Sequence, residues 1–386
     1  MKVAIIGGGP SGFMAAITAK EQNPDWDIII FERANPLASL LYTGGGRCNI
    51  TNAEFDFKEL ARHYPRGEKF LYSIFSRFDV ASLFEFFEKI GLELYIQGDN
   101  RVFPKSDKAE EIRDALILAA KLKGVKIRAL TKVTALKKEE QFVINDNMYF
   151  DKVVLATGGR NNFAYDAAKA FGHGVSELAP VLCGMKADKP FTSLAGVSLK
   201  NVLASARNVE LSGDLLFTHK GVSGPLIFDL SSYLAFEKFP ILLKLNFSRL
   251  NFEEQDAELI RLLSESPKKN ISNLLSGYLP SAVLEEFLLR GGILADKKSY
   301  EINSVERKII AKFLSGFEVE LLSKDTPAMV TAGGINLDEL DKNLQSKLVE
   351  GLYFCGEILN IDGLCGGYNL QACFSTGYVV GSSMID

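Results

Sequence analysis

The chain has few cysteines, few histidines and no long apolar run. Its five cysteines include no C-x-x-C pair, so a disulfide scaffold is not expected. A reducing, cytoplasmic location is therefore favoured. The three histidines are scattered along the sequence, and no metal site built on histidine is predicted. No segment reaches the roughly 18 uninterrupted apolar residues of a transmembrane helix, so no membrane partner is expected.

An excess of charge of one sign is also lacking. The formal net charge is −4 over 386 residues, and short basic stretches such as Lys121–Arg128 alternate with apolar residues. This pattern is typical of a solvated helix or strand face and disfavours a nucleic-acid-binding patch. We therefore expect a small-molecule substrate and no nucleic-acid partner. The oligomeric state is left open, and the length favours two or three domains.

Glycine is abundant, at 33 residues, and its first cluster has a nucleotide-binding pattern. Gly7, Gly9 and Gly12 have G-x-G-x-x-G spacing between an apolar strand and the start of a helix near Pro10. The first glycine permits a tight turn, the second lets backbone approach a pyrophosphate, and the third allows close helix–strand packing. The phosphates are expected at the helix N-terminus. Glu32, at the end of the next strand, is placed to bind ribose hydroxyls.

Two later glycine-rich segments favour flavin over nicotinamide. The apolar strand at 152–156 runs into Thr157-Gly158-Gly159, which predicts a return to a parallel sheet and a second backbone crossing beside the dinucleotide. A strand at 351–355 ends at Gly356-Glu357, and Gly366–Asn369 then begins a helix. A helix N-terminus stabilises the negative charge of a reduced flavin. We therefore predict non-covalently bound FAD.

The loop at 44–52 is a third cofactor candidate. Its three glycines allow close approach to a flat ring, and Arg47 can donate to a phosphate or a flavin carbonyl. Cys48 is either a packing or flavin-proximal residue, or a redox thiol activated by the arginine beside it. The first alternative is favoured, because no second cysteine stands in C-x₄-C spacing.

Three residues are candidates for catalysis. Arg47 and Tyr368 are predicted to lie near the flavin ring. His219, in a glycine-rich turn, either fixes that turn or handles a proton in the substrate site. His173 follows a helix end, where a cation favours the helix dipole, and is predicted to cap it. His63 is predicted to lie at the surface.

The cofactor-type signals occupy both ends of the chain, which predicts an interrupted domain. Short strand-like runs and then helical periodicity fill the middle. The predicted parts are an FAD-binding domain at 1–185 and 327–386, a β-rich inserted domain at 186–250 and 313–326, and a helical subdomain at 251–312.

Two helices carry more specific predictions. Asp107 and Glu110 have the spacing of a capping box for a helix over 108–123. A helix over 368–384 is rich in small residues such as Gly377, which predicts close packing against a sheet.

The order of these motifs resembles a known family. GGGRCNITN, ATGG, LFTHKGVSGP, VTAGGI and GLYFCGE…DGLCGGYNLQA…STG are similar to segments of the aminoacetone-oxidase/BaiN-like family of FAD-dependent oxidoreductases. The resemblance covers nearly the whole chain. It implies an α/β fold in which a Rossmann-type FAD-binding domain is interrupted by a β-barrel-like domain and a helical domain.

The resemblance also implies which residues contact the cofactor. The implied FAD contacts are Gly7, Gly9, Gly12, Glu32, Gly45, Arg47, Cys48, Asn49, Ala156, Thr157, Gly158, Gly356, Glu357, Gly367, Tyr368 and Asn369. Further cofactor-binding candidates are Ser11, Arg33, Asn52 and Val133. Asp362 is the expected acid near the ribityl chain.

The predicted function is hydride transfer between FAD and a small molecule. One alternative is an oxidase that is reduced by an amine and reoxidised by O₂. The other is a reductase with NAD(P)H as a transient electron donor, since the insertion holds no second nucleotide fingerprint. A flavoprotein acting on tRNA and a non-catalytic FAD-binding protein are the competing classes.

Overall fold

The computed structural model describes residues 1–384 and divides into two compact units. The cofactor unit, as we call it, comprises Met1–Ala179 and the chain from Val330 onward. The barrel unit comprises Pro180–Met329. The predicted separation of a β-rich part from a helical part within the insertion stays a prediction, because both parts lie in the barrel unit.

Strands and helices follow one another in short groups along the chain. The strands are β1 Lys2–Ile6, β2 Asp27–Phe31, β3 Thr51–Asn52, β4 Leu94–Ile96, β5 Arg101–Pro104, β6 Lys126–Arg128, β7 Leu136–Lys138, β8 Phe142–Ile144, β9 Met148–Phe150, β10 Lys152–Leu155, β11 Ala179–Val181, β12 Met185–Ala187, β13 Ser198–Ala206, β14 Val209–Thr218, β15 Gly221–Ser223, β16 Ile241–Asn246, β17 Phe317–Lys324, β18 Val330–Ala332 and β19 Leu352–Phe354. The helices are α1 Pro10–Gln22, α2 Phe57–Arg62, α3 Glu68–Phe75, α4 Val80–Lys89, α5 Ala109–Leu122, α6 Asn162–Ala170, α7 Pro225–Tyr233, α8 Phe252–Glu265, α9 Ile271–Leu274, α10 Ser281–Arg290, α11 Ser304–Gly316 and α12 Tyr368–Ser383. Across residues 1–384, none of the helices combines the length and the apolar character needed to span a bilayer.

A parallel sheet organises the cofactor unit. Its strand order is β19-β10-β1-β2-β6, with β1 in the centre. The central strands are apolar and buried on both faces, as expected for a parallel sheet covered on each side. The predicted return of the chain to this sheet at 152–156 is confirmed, since β10 pairs with β1.

The barrel unit contains a closed six-strand barrel, in the order β12-β15-β14-β13-β16-β17. Burial alternates along its strands, so that Ile241, Leu243 and Leu245 of β16 face the core. Helices α8 to α11 connect β16 to β17, and Asn251 and Asn303 begin α8 and α11 with capping boxes. The predicted Rossmann-type α/β fold with a barrel-like insertion is confirmed.

Helices α1 and α12 run parallel to each other, and their backbones are in close contact. A Cβ atom on Gly377 would lie 2.4 Å from the Ser11 carbonyl oxygen, and one on Gly381 would lie 2.6 Å from that of Ala15. The small residues of α12 therefore pack on a helix, and the predicted packing on a sheet was wrong. This register makes α12 begin about 12 Å before α1 along their shared direction, at 1.5 Å per residue.

The capping box predicted for α5 is absent. The helix begins at Ala109, and its N-cap residue Lys108 makes no side-chain cap. Asp107 adopts a left-handed backbone conformation, with φ at 54°. Its carboxylate accepts a hydrogen bond from the Tyr95 hydroxyl at 2.8 Å and lies 3.7 Å from the Arg47 guanidinium. The Asp107 carboxylate is therefore engaged by residues from other parts of the fold and does not cap the helix.

Candidate cofactor site

The turn from β1 to α1 shows why three glycines are needed. Gly7 has φ at +115°, and a Cβ there would lie 2.2 Å from the Ala156 carbonyl oxygen. A Cβ on Gly12 would lie 2.1 Å from the Gly7 carbonyl oxygen, so this glycine allows the helix to approach the strand. A Cβ on Gly9 would meet nothing within 4 Å. Gly9 therefore faces open space at the N-terminus of α1, where a pyrophosphate could approach.

The first cleft of the site lies where β1, β2 and β10 end. It encloses about 420 Å³ of empty space that is open to solvent. Ligands of open α/β sheets bind at this carboxyl edge of the strands. The cleft is lined by Ile6, Gly7, Phe31, Glu32, Arg33, Thr131, Lys132, Val133, Thr157, Asn161 and Phe163. Five predicted contacts, Gly7, Glu32, Arg33, Val133 and Thr157, are thus brought together.

Backbone groups hold the carboxylate of Glu32 in place. One carboxylate oxygen accepts the Gly8 N–H at 2.8 Å, and the other accepts the Ala34 N–H at 2.8 Å. Each oxygen keeps a second lone pair. The carboxylate is therefore fixed at the cleft and can still accept hydrogen bonds from ribose hydroxyls.

Buried polar atoms without a protein partner test whether the site suits a dinucleotide. The Thr157 hydroxyl, the Asn49 amide oxygen and the Tyr165 hydroxyl are buried and make no hydrogen bond within the described part of the chain. Leaving such a group unsatisfied costs about 1–3 kcal/mol. Thr157 and Asn49 are both predicted FAD contacts, and the hydroxyls, amides and carbonyls of FAD could satisfy them. The residues present fit FAD.

A second cleft, with about 240 Å³ of empty space, lies between the end of β19 and the side of α12. It is lined by Gly356, Glu357, Ile361, Asn369, Ala372, Cys373 and Thr376. The Glu357 carboxylate accepts the Thr331 N–H at 2.9 Å and the Gly159 N–H. Burial raises the pKa of Glu357. This residue therefore joins the loops after β10 and β19, beside the cleft.

The loop before α12 is held mainly by side chains that were predicted to touch the cofactor. Asp362 is fully buried and forms an ion pair with Arg66. The Asn369 amide accepts the Gly363 N–H at 2.9 Å and donates to the Gly363 carbonyl at 2.7 Å. A cofactor contact from Asp362 or Asn369 stays a prediction, since both side chains already hold the loop.

Gly367 allows the N-terminus of α12 to pack closely against β3. Gly367 has φ at +97°, and a Cβ there would lie 2.5 Å from the Thr51 carbonyl oxygen. No side chain caps this helix. Its first N–H groups can therefore stabilise an anion, as predicted for the flavin-ring end. Because α12 begins about 12 Å before α1, the two N-termini are spaced for an extended ligand.

His63, which was predicted to lie at the surface, is only partly exposed and has a stacking partner that was not predicted. Its ring is partly buried and stacks on Tyr368, with the ring centroids 4.4 Å apart and the planes at 15°. Burial lowers the pKa of His63. The polar neighbours of His63 in the sequence gave no signal of this contact, because its partner is distant along the chain.

Arg47 and Cys48 differ sharply in exposure. The Arg47 guanidinium lies 4.1 Å from the Phe103 ring centroid and is partly exposed. Cys48 is fully buried, and burial raises the pKa of its thiol to about 11. A thiol in this environment stays protonated and unreactive, which supports the packing alternative for Cys48.

We expect iodoacetamide to label Cys48 very slowly in the folded protein. At about pH 8, a thiol with a pKa of about 11 is ionised in about one molecule in a thousand, and burial also excludes the reagent. Peptide mass spectrometry after timed labelling measures the rate, with urea-unfolded protein as the control. Equal rates in folded and unfolded protein would contradict the assignment.

The other two histidines have very different surroundings. His219 is exposed in the turn between β14 and β15 and belongs to the barrel unit. His173 is buried, with Nδ1 2.9 Å from a Glu339 carboxylate oxygen and Nε2 2.7 Å from the Ser346 hydroxyl. Its side chain thus bonds to residues distant in the sequence, where helix capping was predicted.

The remaining predicted contacts occupy three places in the cofactor unit. Ser11 lies in the first turn of α1, Ala156 and Gly158 follow β10, and Gly45 and Asn52 lie in the glycine-rich loop and in β3. A Cβ on Gly45 would meet nothing within 4 Å. The Asn52 amide donates to the Gly366 carbonyl at 3.5 Å, which joins this loop to the start of α12.

Comparisons with known proteins agree with this fold. Residues 1–383 match the family model described as HI0933-like protein Rossmann domain. The chain is similar to a 3-dehydro-bile acid delta(4,6)-reductase of Clostridium scindens, with 30% identity over 410 residues and 98% of each chain covered. It is also similar to a ribosomal RNA dihydrouridine synthase of Escherichia coli, with 27% identity over 403 residues, covering 99% of this chain and 97% of the relative.

A solved structure shares the architecture at low sequence identity. It is 3-ketosteroid delta1-dehydrogenase from Sterolibacterium denitrificans in complex with 1,4-androstadiene-3,17-dione. The TM-score is 0.51, with 12% identity and 98% of both chains covered. This similarity shows the fold alone.

Proposed function

The chain belongs to the HI0933-like protein Rossmann domain family, and from this premise we propose that it is an FAD-dependent reductase of conjugated carbon–carbon double bonds. The predicted family and the predicted enzyme class, an oxidoreductase, are confirmed. FAD is supported by the unsatisfied buried atoms of Thr157 and Asn49, together with the open N-terminus of α1. When bound, FAD would supply the hydride.

The reaction class is proposed from the chemistry that the two relatives have in common. One is named as a delta(4,6)-reductase of a 3-dehydro-bile acid and the other as a dihydrouridine synthase. In a 3-keto-4,6-diene and in uracil alike, the double bond that is reduced is conjugated to a carbonyl. Such a bond accepts a hydride at its β-carbon and a proton at its α-carbon. We propose a substrate with this conjugated group.

A steroid-like small molecule is the first candidate substrate, supported by the relative at 30% identity and by the net charge of −4, which disfavours a polyanionic partner. A uracil base in ribosomal RNA is the second candidate. It is supported by two relatives at 27% and 28% identity across nearly the whole chain. NAD(P)H is proposed as the transient electron donor. The amine-oxidase alternative stays a prediction that the same experiment tests.

The test mixes FAD-loaded protein anaerobically with NADH, NADPH or aminoacetone and then with an acceptor. The acceptors are androst-4-ene-3,17-dione, a uridine-containing ribosomal RNA fragment, and O₂. We expect a nicotinamide donor to bleach the flavin, and the enone to restore its colour and gain two hydrogens by mass spectrometry. If the RNA is the only acceptor that restores the flavin colour, the second candidate substrate is favoured.

Two other outcomes would reject the proposal. Bleaching by aminoacetone alone, with recovery in O₂, would identify an oxidase. If no donor bleaches the flavin, the result would indicate a non-catalytic FAD-binding protein. Protein without FAD serves as the control in each mixture.

A further inference from the structure

Residues in the segment 63–67 form hydrogen bonds and an ion pair with the loop that leads into α12 and with the start of that helix. The His63 carbonyl accepts the Leu364 N–H at 2.9 Å, and the Tyr64 hydroxyl donates to the Tyr368 carbonyl at 2.6 Å. Arg66 forms its ion pair with buried Asp362 in the same loop. These contacts fix the backbone of His63 relative to the helix N-terminus at which the flavin ring is expected.

The His63 ring has the features of a group that exchanges protons. It stacks on Tyr368, the first residue of α12, at 4.4 Å between centroids. It is only partly buried, so solvent can reprotonate it. Within the described chain, its nitrogens make no hydrogen bond to protein, which leaves them available to a ligand.

Other titratable groups of the cofactor unit are less suited to this task. Both ring nitrogens of His173 are already engaged, and its side chain is fully buried. Burial raises the pKa of Tyr64 well above its usual value, and it raises the pKa of the Cys48 and Cys373 thiols. Histidine is the side chain that ordinarily changes charge near neutral pH. His63 meets this requirement at the start of α12.

The charges facing His63 decide when it takes up a proton. Burial, the largest effect, lowers the pKa of His63, whereas the Glu54 and Glu59 carboxylates raise it. Glu59 also pairs with exposed Arg62 at 2.6 Å. On the α12 side the facing group is the Tyr368 ring, and the nearby loop carries the Arg66–Asp362 ion pair. A negative charge arriving at the N-terminus of α12 would therefore favour the protonated imidazole.

We propose that His63 donates the proton that completes reduction of the substrate double bond. This inference rests on the proposed function. A hydride, which reduced FAD would supply as it becomes oxidised, forms a C–H bond at the β-carbon. The carbon–carbon π bond breaks, and its electrons move through the α-carbon to the carbonyl oxygen and give an enolate. The carbonyl re-forms as the α-carbon takes the proton from a ring N–H of protonated His63, whose bonding electron pair stays on the imidazole nitrogen. The neutral imidazole regains a proton from solvent.

The test measures the reduction and the reoxidation of bound FAD separately in the His63→Gln variant. Reduction of bound FAD by NADPH needs no proton from His63 and is expected within about twofold of wild type. Reoxidation by androst-4-ene-3,17-dione is expected to slow by about 100-fold or more, the usual contribution of a general acid. His63→Phe keeps an aromatic ring against Tyr368 and should be equally slow. Lys69→Gln, an exposed change on α3, is the matched control.

A second readout does not depend on turnover. The chain has three histidines, so NMR titration can resolve the His63 ring. We expect the pKa of His63 to rise by about one unit when bound FAD is reduced with dithionite, as an approaching negative charge requires.

Three results would overturn the inference. They are enone reoxidation of His63→Gln at the wild-type rate, full recovery of that rate in His63→Phe, and an unchanged pKa of His63 on reduction. If the wild-type protein reduces neither the enone nor the uridine-containing RNA, the proposed function itself is wrong, so the two failures are distinguishable.

Discussion

Gly12→Ala is expected to destabilise the cofactor unit severely, whereas Gly9→Ala is expected to fold normally and lose flavin. The added Cβ of Gly12→Ala would lie 2.1 Å from the Gly7 carbonyl oxygen, a backbone atom that cannot move without shifting β1. Overpacking typically costs about 1–3 kcal/mol, and this close backbone contact places Gly12→Ala at the upper end of that range. The added Cβ of Gly9→Ala meets no protein atom within 4 Å but occupies the approach to the N-terminus of α1.

Urea unfolding and the flavin content of the purified protein measure these two effects separately. For Gly9→Ala we expect an unchanged unfolding midpoint and an FAD affinity at least about tenfold weaker, equal to about 1.4 kcal/mol. Equal stability of both variants would contradict the packing account. Wild-type FAD affinity in Gly9→Ala would show that the pyrophosphate does not pass this residue.

Arg66→Ala is expected to lower the free energy of unfolding by about 3–5 kcal/mol, because it leaves the buried Asp362 carboxylate without its guanidinium partner. The double variant Arg66→Ala/Asp362→Ala should be more stable than Arg66→Ala, since it removes the buried carboxylate as well. Urea unfolding of the wild type, both single variants and the double variant gives the coupling free energy.

A small coupling free energy between Arg66 and Asp362 would contradict this account of the loop before α12. If Arg66→Ala lowers stability by less than about 1 kcal/mol, the pair behaves like a surface salt bridge. FAD affinity provides a second measurement, because a loosened loop should also weaken the site at the N-terminus of α12.

Features of the fold that depend on local pattern could be predicted from the sequence. Gly7, Gly9 and Gly12 stand within a few residues of each other; Gly7 and Gly12 answer steric requirements of one turn, and Gly9 leaves open space at the start of α1. The apolar runs of β1 and β10 predict strands buried on both faces, and the structure pairs them in parallel. The β-rich insertion follows from short runs bounded by turn residues, and it closes as a barrel.

Features that depend on distant partners could not be predicted. Asp107 has the spacing of a helix cap, but the Tyr95 hydroxyl and Arg47 engage its carboxylate. The stacking of His63 on Tyr368 joins residues that are far apart in the sequence. Spacing shows which residue types lie on one element, whereas these contacts form only when separate elements pack.

Competitive titration of FAD tests the central claim most directly, namely that the cleft at the ends of β1, β2 and β10 holds the ADP half of FAD. Apoprotein is titrated with FAD alone, then in the presence of ADP or of FMN, and flavin fluorescence reports binding. We predict saturation at one FAD per chain, with competition by ADP and little by FMN. The absence of saturable FAD binding, or displacement by FMN but not by ADP, would contradict the claim.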